Sequence, residues 1–406
     1  MNKKYSEEHY FDYQSTTPMD KRVIDTIYQS MNDDYGNPHS TSHSFGWRAF
    51  EKVENARMSV GKLINAPADS IIFTSGATES NNLAIKGVGH FYQNKGKHII
   101  TMSVEHKCVI ESCKFLETEG YEVTYLNPEQ DGLLDLNRLL DAIRDDTILV
   151  SVMGVNNETG VIQDLEKIGR IAHDKGVLFH SDCAQAYGKI SLDVEKMNID
   201  LMSISSHKIY GPKGIGALYI RQKPKVRISP LIHGGGQEKG VRSGTLSVPL
   251  CVGFGKACEI CHNEMGKDYQ HIKKLSDKFL DEILKIEDVY LNGNRERKIP
   301  GCNNISFLHV EGEGLMLAMP NMCVSTGSAC NSSNLQPSYV ISNMRNSDYY
   351  AHSAIRFGFG RFTTEEEVDV LMRDLITAVE RMRSISPLWE MKKQGIDLNK
   401  INWGNK

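Results

Sequence analysis

The feature that most constrains this chain is an alternation of two patterns. Short apolar runs of strand type recur at residues 70–73, 98–101, 123–126, 148–153, 177–180 and 201–205. Amphipathic stretches such as 168–175, closed by Gly176, lie between several of them. Strand, helix, strand at this spacing implies an α/β domain on a mostly parallel sheet, because parallel neighbours need a long crossover that a helix supplies. Such sheets take their ligands at the carboxyl ends of the strands, so the residues just past each run are the ones to read for chemistry. From about Gly266 the texture changes: 268–284 reads as a charged amphipathic helix, 303–308 and 355–359 as strands, and 364–383 as a helix. The expected division is a large domain at 21–265 and a smaller α+β domain built from 1–20 and 266–406. No repeat, low-complexity tract or long linker separates them, which predicts a substantial shared interface.

Composition narrows the function classes. At 406 residues the chain can bury a large core without disulfides or metal staples. Lys plus Arg number 47 against 51 Asp plus Glu, a net charge of -4, so there is no basic footprint for nucleic acid and no steering toward anionic membranes. No run of 18 apolar residues offers a spanning helix. Residues 1–13 lack an apolar signal core and any Arg, and carry Glu7, Glu8 and Asp12; the chain is expected to stay where it is made, unless an import signal is cryptic or already removed. Nine cysteines, an odd number without a framework spacing, suggest a reducing compartment and thiols used as small core residues. Cys258-Glu-Ile-Cys261-His262 fits a haem-attachment pattern, but it lies in a helical stretch where positions i and i+3 share a buried face, so structural cysteines are expected.

Four strand ends carry chemistry. Run 201–205 leads into Ser206-His207-Lys208 and then a Gly/Pro turn, which displays Lys208 where an amine is free to form a Schiff base. Run 177–180 ends in Ser181-Asp182, an acid able to hold a protonated pyridine nitrogen, with Gln185 three residues on to reach a phenolic oxygen. The bland alternative for Asp182 is a helix N-cap, and a His180–Asp182 metal pair lacks a third ligand nearby. Ile71-Ile-Phe-Thr-Ser-Gly76-Ala77-Thr78 is a strand, a small-residue turn and a helix start, an anion cradle made of free N–H groups. His106 follows the run at 98–101 and can stack on a ring and move protons near neutral pH. No P-loop is present, and Gly234–Gly236 lacks the dinucleotide fingerprint. Each signal is weak alone; together they describe a pyridoxal phosphate site. Separately, Val324-Ser-Thr-Gly-Ser-Ala-Cys330 is a small-residue loop with one thiol, suited to a mobile nucleophile.

These residues carry a resemblance. Thr74-Ser-Gly-Ala-Thr-Glu-Ser-Asn-Asn, Glu105-His-Lys107, Val155-Asn-Asn-Glu158, Ser206-His-Lys-Ile-Tyr-Gly-Pro-Lys-Gly, Gly234-Gly-Gly-Gln-Glu, Arg242-Ser-Gly-Thr245 and Gly327-Ser-Ala-Cys330 are similar to the cysteine desulfurases of the housekeeping iron–sulfur cluster system. The match runs from Phe11-Asp-Tyr13 to the tail Ile396-Asp-Leu-Asn. Tyr35-Gly-Asn-Pro-His-Ser40, Glu105-His-Lys-Cys-Val109 and Pro300-Gly-Cys-Asn-Asn304 look nearest the eukaryotic, mitochondrial branch. The resemblance implies a fold-type I, class V aminotransferase-like homodimer that binds pyridoxal 5'-phosphate in the large domain and carries the cysteine loop on the small one.

Position by position, it makes Lys208 the Schiff-base lysine, Asp182 the pyridine partner, Gln185 the phenolate partner and His106 the stacking acid–base. Ala77, Thr78, Ser205 and His207 match phosphate binders, with Thr245 reaching in from the other subunit. Asn157 contacts cofactor and substrate, and Arg356 clamps the substrate carboxylate, a planar bidentate task suited to guanidinium. Cys330 matches the persulfide carrier and is also a candidate ligand of an iron–sulfur cluster shared with a scaffold. The implied reaction takes L-cysteine to L-alanine, with Lys208 removing the Cα proton and the Cys330 thiolate taking the sulfur. The sulfur would serve iron–sulfur cluster assembly, with tRNA thiolation a further destination. Implied partners are a scaffold protein, a frataxin-like protein and small accessory subunits. The implied location is the mitochondrion or a derived organelle; the bare N-terminus alone gives the cytoplasm.

Some positions depart from the family pattern. Ser206 stands for the usual Gly beside the lysine, Gly154 for a larger residue, Asn331-Ser332-Ser333 for Thr-Ser-Ala, and Met319-Pro320-Asn321 for a Leu-Lys-Asp-like stretch. None removes a reactive group. Rival readings are a selenocysteine lyase or aminotransferase, which indifference to Cys330→Ser would favour, and an inactive assembly subunit, which a colourless, cofactor-free protein would favour.

Overall fold

The computed structural model describes residues 8–326 and 337–395. Seven strands form the central sheet: β1 (Ile71–Thr74), β2 (His98–Met102), β3 (Glu122–Leu126), β4 (Thr147–Ser151), β5 (Leu178–Asp182), β6 (Leu201–Ser205) and β7 (Gly216–Ile220). Their spatial order is β1-β7-β6-β5-β4-β2-β3. Every pairing is parallel except those of β7, which runs antiparallel to both β6 and β1. Every residue of β1, β2, β4, β6 and β7 is buried, as expected of strands covered on both faces. The six runs read from the sequence are β1 to β6. β7 escaped because Gly216-Ala-Leu-Tyr-Ile220 follows the Gly/Pro turn directly, and an antiparallel return from β6 needs no helix between.

Two apolar layers sandwich the sheet. One joins Val53, Val60, Phe179, Tyr187 and Phe254 beneath helices Ser44–Lys62 and Val248–Ile283. The other joins Leu83, Val88, Val109 and Leu116 from helices Ala77–Tyr92 and Lys107–Thr118. Cys258 and Cys261 lie wholly in the first layer, with the Cys258 sulfur 3.2 Å from the Tyr187 hydroxyl, while His262 is exposed. The C-x-x-C-H resemblance to a haem site is therefore a packing pattern.

A third core, around Phe11, Phe279, Phe307, Phe357 and Leu375, belongs to the second unit. Its sheet sets β9 (Cys302–Phe307) between β8 (Val289–Leu291) and β10 (Ala354–Gly358), all antiparallel. Helix Glu365–Ser384 covers it, opened by a capping box between Thr364 and Glu367. Residues His9–Tyr10 pair with Met322–Cys323, which ties the N-terminal segment to this unit. Helix Val248–Ile283 is 36 residues long and contributes Phe254 to the first core and Phe279 to the third. The expected helix at 268–284 is its second half, and residue 266 lies in its middle. No helix among the described residues is long and apolar enough to cross a membrane.

Candidate active site

A cavity of about 660 Å³ opens at the carboxyl ends of β5 and β6, closed on one side by the N-terminal segment and on another by β10. The strand-end groups read from the sequence meet there: Lys208, Asp182, His106, and Ala77 with Thr78.

Lys208 ends a tight turn, Ser206–Lys208, immediately after β6. Its Nζ donates to the carbonyls of Gln14 at 2.5 Å and Ser15 at 2.8 Å. The unusual Ser206 does not break this turn: Ile209 and Gly211 N–H both donate to its carbonyl, at 3.0 and 3.2 Å. Its buried hydroxyl instead favours glycine five positions on, since a Cβ on Gly211 would sit 2.1 Å from Ser206 Oγ.

Asp182 is the last residue of β5 and is buried. Its Oδ2 accepts from Asn81 Nδ2 at 2.7 Å and its Oδ1 from the Ala184 N–H at 2.9 Å. His106 caps helix Lys107–Thr118, its Nδ1 accepting from the Cys108 N–H at 3.3 Å and lying 3.0 Å from Cys108 Sγ. With Nδ1 an acceptor, the proton of the neutral ring sits on Nε2. Gln185 donates from Nε2 to the Gln14 carbonyl at 2.8 Å and accepts at Oε1 from Lys189 Nζ at 2.7 Å.

The strand, small-residue turn and helix start read at residues 71–78 are present. β1 ends at Thr74, Gly76 turns the chain at φ 152°, and helix Ala77–Tyr92 starts with no side chain capping its N–H groups. Glu79 in that first turn does not repel an anion: it is tied to Arg242 Nε at 2.8 Å and to the Ser75 N–H at 2.7 Å. Burial acts to raise its pKa, but these partners outweigh it and hold the carboxyl below its ordinary range. Ser205 and His207 face the same cavity. Burial first, and then Lys208, Lys213 and Lys189, push the His207 imidazole down to about 4, so it is neutral at pH 7.

Arg356, on β10, enters from the second unit and is buried. Its Nη1 donates to the Asn157 carbonyl at 2.8 Å, and its Nη2 to Asp12 Oδ1 at 2.8 Å and Ser15 Oγ at 2.7 Å. Arg356 Nε and Asn157 Oδ1 are buried with no hydrogen-bond partner, a donor and an acceptor left for a ligand. Thr245 is exposed and does not line the cavity of its own chain. Cys330, with Asn331, Ser332 and Ser333, lies outside the described residues. Among the described residues no group of His, Cys, Asp and Glu is arranged to hold a metal ion.

Sequence reading missed Asp12, Gln14, Ser15, Asn81, Cys108 and Lys189. Asn81 had a usable signal: it is fully buried, a polar residue on the apolar face of a helix. Cys108 Sγ is 3.1 Å from Asn81 Nδ2, so one polar chain links His106, Cys108, Asn81 and Asp182.

The donor set fits pyridoxal phosphate: an amine on a fixed turn, a buried carboxylate, an imidazole, and main-chain N–H groups at a helix start for a dianion. Comparison with known proteins agrees. The family model for class-V aminotransferases matches residues 9–371. The chain belongs to this family, a group of pyridoxal phosphate enzymes, and within it to the cysteine desulfurases. It is 57% identical over 395 residues to cysteine desulfurase IscS of Rickettsia bellii (strain OSU 85-389), covering 97% of this chain and 96% of the relative. Among solved structures it is similar to a NifS-like protein, with a TM-score of 0.85 and 36% identity over 92% of this chain and 100% of that one. It is also similar to SspA in complex with cysteine, with a TM-score of 0.78 and 36% identity over 87% and 99%. These relatives correct one expectation. The similar desulfurases come from Rickettsia, which are bacteria, so the mitochondrial location is overturned, and the cytoplasmic alternative is the one consistent with them.

Proposed function

We propose that the chain converts L-cysteine to L-alanine, passes the sulfur to Cys330 as a persulfide, and so supplies iron–sulfur cluster assembly. The single observation that carries this reading is the convergence of Lys208, Asp182 and His106 with Arg356 of the other unit on one cavity. The large unit at 21–265 would hold the cofactor and the unit at 1–20 and 266–406 the sulfur-accepting loop. Lys208 would bind pyridoxal phosphate covalently, Ala77, Thr78, Ser205 and His207 would hold its phosphate with Thr245 of a second copy, and Gln185 its phenolic oxygen.

When bound, the cofactor supplies an electron-withdrawing ring that stabilises negative charge at the substrate Cα. Asp182, oriented by Asn81 and the Ala184 N–H, holds the proton on the ring nitrogen. Arg356, fixed by Asp12 and Ser15, would bind the substrate carboxylate, and Asn157 would contact cofactor and substrate. Once the substrate amine has displaced it from the cofactor aldehyde, Lys208 Nζ would accept the Cα proton. His106 presents its Nε2 proton to the reacting face, because Nδ1 is committed to the Cys108 N–H. The Cys330 thiolate would then attack the substrate sulfur as its bond to Cβ breaks; the electron pair stays on Cβ, which takes up a proton to give alanine, and the sulfur remains on Cys330 as a persulfide. A homodimer, a scaffold and small accessory proteins are the partners this reading implies. Within the family, the motifs at 35–40, 105–109 and 300–304 support a lineage near the eukaryotic branch, with no bearing on compartment.

The test is mass spectrometry after brief exposure to L-cysteine. One added sulfur on the Cys330 peptide, absent in Lys208→Ala, is the expected result. Alanine formed with Cys330 unmodified would remove the thiol from its role, and neither product would remove the activity.

A further inference from the structure

Beside the main cavity lies a second, smaller one of about 40 Å³. Gln14 and Lys208 line both and form the wall between them. On the far side of that wall is Lys189, which no step of the reaction above uses. Among the described residues no carboxylate lies within salt-bridge distance of it: Asp268, the acid of the small cavity, is already paired with Arg361 at 2.8 Å. What Lys189 does have is Gln185, whose Oε1 accepts from its Nζ at 2.7 Å.

The consequence for Gln185 is geometric. A side-chain amide can exchange its oxygen and nitrogen by rotating half a turn, and only its partners decide which is used. In its charged form Lys189 is a donor without acceptor capacity, so it contacts the amide oxygen alone. That leaves Nε2 on the cavity side, where it now donates to the Gln14 carbonyl. The consequence for Lys208 is electrostatic. A second positive charge behind it disfavours the cationic form of any group at Lys208 Nζ.

We propose that Lys189 is a positioning residue of this site: it locks the Gln185 amide with its N–H groups toward the cavity and sets a positive charge behind Lys208. The proposal rests on Lys208 holding pyridoxal phosphate. The groups around Lys189 set how much of that charge is present. Lys208 and Arg356 repel its charge, the Cys302 and Cys261 thiols oppose that, and burial dominates, bringing Lys189 down to about 7. The anionic oxygens of a bound cofactor favour the charged form again. Tyr13, Tyr210 and Tyr269 are the remaining titratable groups of the small cavity.

The experiment titrates the visible absorption band of the cofactor-loaded resting protein against pH, without substrate. Removing the positive charge favours the protonated Lys208 linkage, so Lys189→Met should raise the midpoint by about one pH unit. Lys189→Gln, neutral and closer in polarity, should raise it likewise, so either variant decides if the other fails to fold. Lys189→Arg should return the midpoint toward the wild-type value. A lysine with only a packing role would not move it. An unchanged midpoint in a folded, loaded neutral variant would overturn the proposal. Absence of a visible band in the wild type would instead overturn the cofactor reading beneath it, and this proposal with it.

Discussion

Strand β1 is one edge of the large sheet and pairs only with β7. An edge strand turns every second N–H and C=O away from its neighbour, and these need other partners. Here a salt bridge occupies the place of a further strand. Glu238 Oε2 accepts from the Phe73 N–H at 2.6 Å, and Arg57 Nη1 donates to the Ile71 carbonyl at 2.8 Å. The two side chains join each other at 2.7 and 2.8 Å, and both are buried. Glu238→Gln leaves one acceptor oxygen for three donors and leaves the buried Arg57 guanidinium with Glu54, at 2.9 Å from its Nε, as its remaining carboxylate. Breaking a buried pair from one side costs about 3–5 kcal/mol. Replacing both charges, in Arg57→Met with Glu238→Leu, leaves the Phe73 N–H and the Ile71 carbonyl unpaired but no broken buried ion pair, the N–H being the costlier at about 1–3 kcal/mol. The double variant should therefore be more stable than the single one. Urea unfolding of the cofactor-free chain by far-ultraviolet circular dichroism reads both differences as midpoint shifts at constant slope. Because β1 leads straight to Gly76 and the anion cradle, Glu238→Gln should also weaken pyridoxal phosphate binding. A single-variant cost below about 1 kcal/mol, or a double variant less stable than the single, would refute the edge-capping argument.

Three further outcomes follow from the site. Asn81→Ala removes one of two bonds that orient Asp182; a hydrogen bond to a charged group is worth about 1.5–3 kcal/mol, so alanine formation should slow by roughly 10- to 100-fold with little change in KM. Arg356→Lys keeps the charge but loses the planar fork, and should raise KM for L-cysteine by about 10-fold or more while kcat changes less. Burial holds His180 down to about 3, and burial with Lys208 holds His207 down to about 4, against 6.5 when unfolded. The unfolded chain therefore binds more protons below pH 6.5, so the stability these groups contribute is complete above that value and is lost as pH falls toward the folded pKa values. His180→Asn should flatten the fall in urea midpoint between about pH 7 and pH 5.

What the sequence disclosed was local, and what it withheld depended on distance. β1 to β6 were readable because each is a short buried run whose character does not depend on its neighbours. β7 was hidden, since its strand state comes from pairing with β6 and β1 rather than from a signal of its own. The change of texture near Gly266 is not a helix end: cores at both ends of Val248–Ile283 outweigh the roughly 1 kcal/mol that a glycine costs inside a helix. Within the site, Lys208, Asp182, His106 and the cradle follow strand ends and were legible for that reason. The residues that orient them are not adjacent to any of them in sequence. Residues 12–16 carry no motif that announces a role, but their groups hold Lys208 through the Gln14 and Ser15 carbonyls, Gln185 through the Gln14 carbonyl, His207 through Thr16, and Arg356 through Asp12 and Ser15. One extended segment, anchored by Phe11 in the smaller core, thus sets the relative positions of the amine and the guanidinium that come from different units. Its carbonyl contacts can come from nearly any sequence, and its Asp12, Ser15 and Thr16 side chains are short polar groups common to loops, so the segment leaves little trace in residue type.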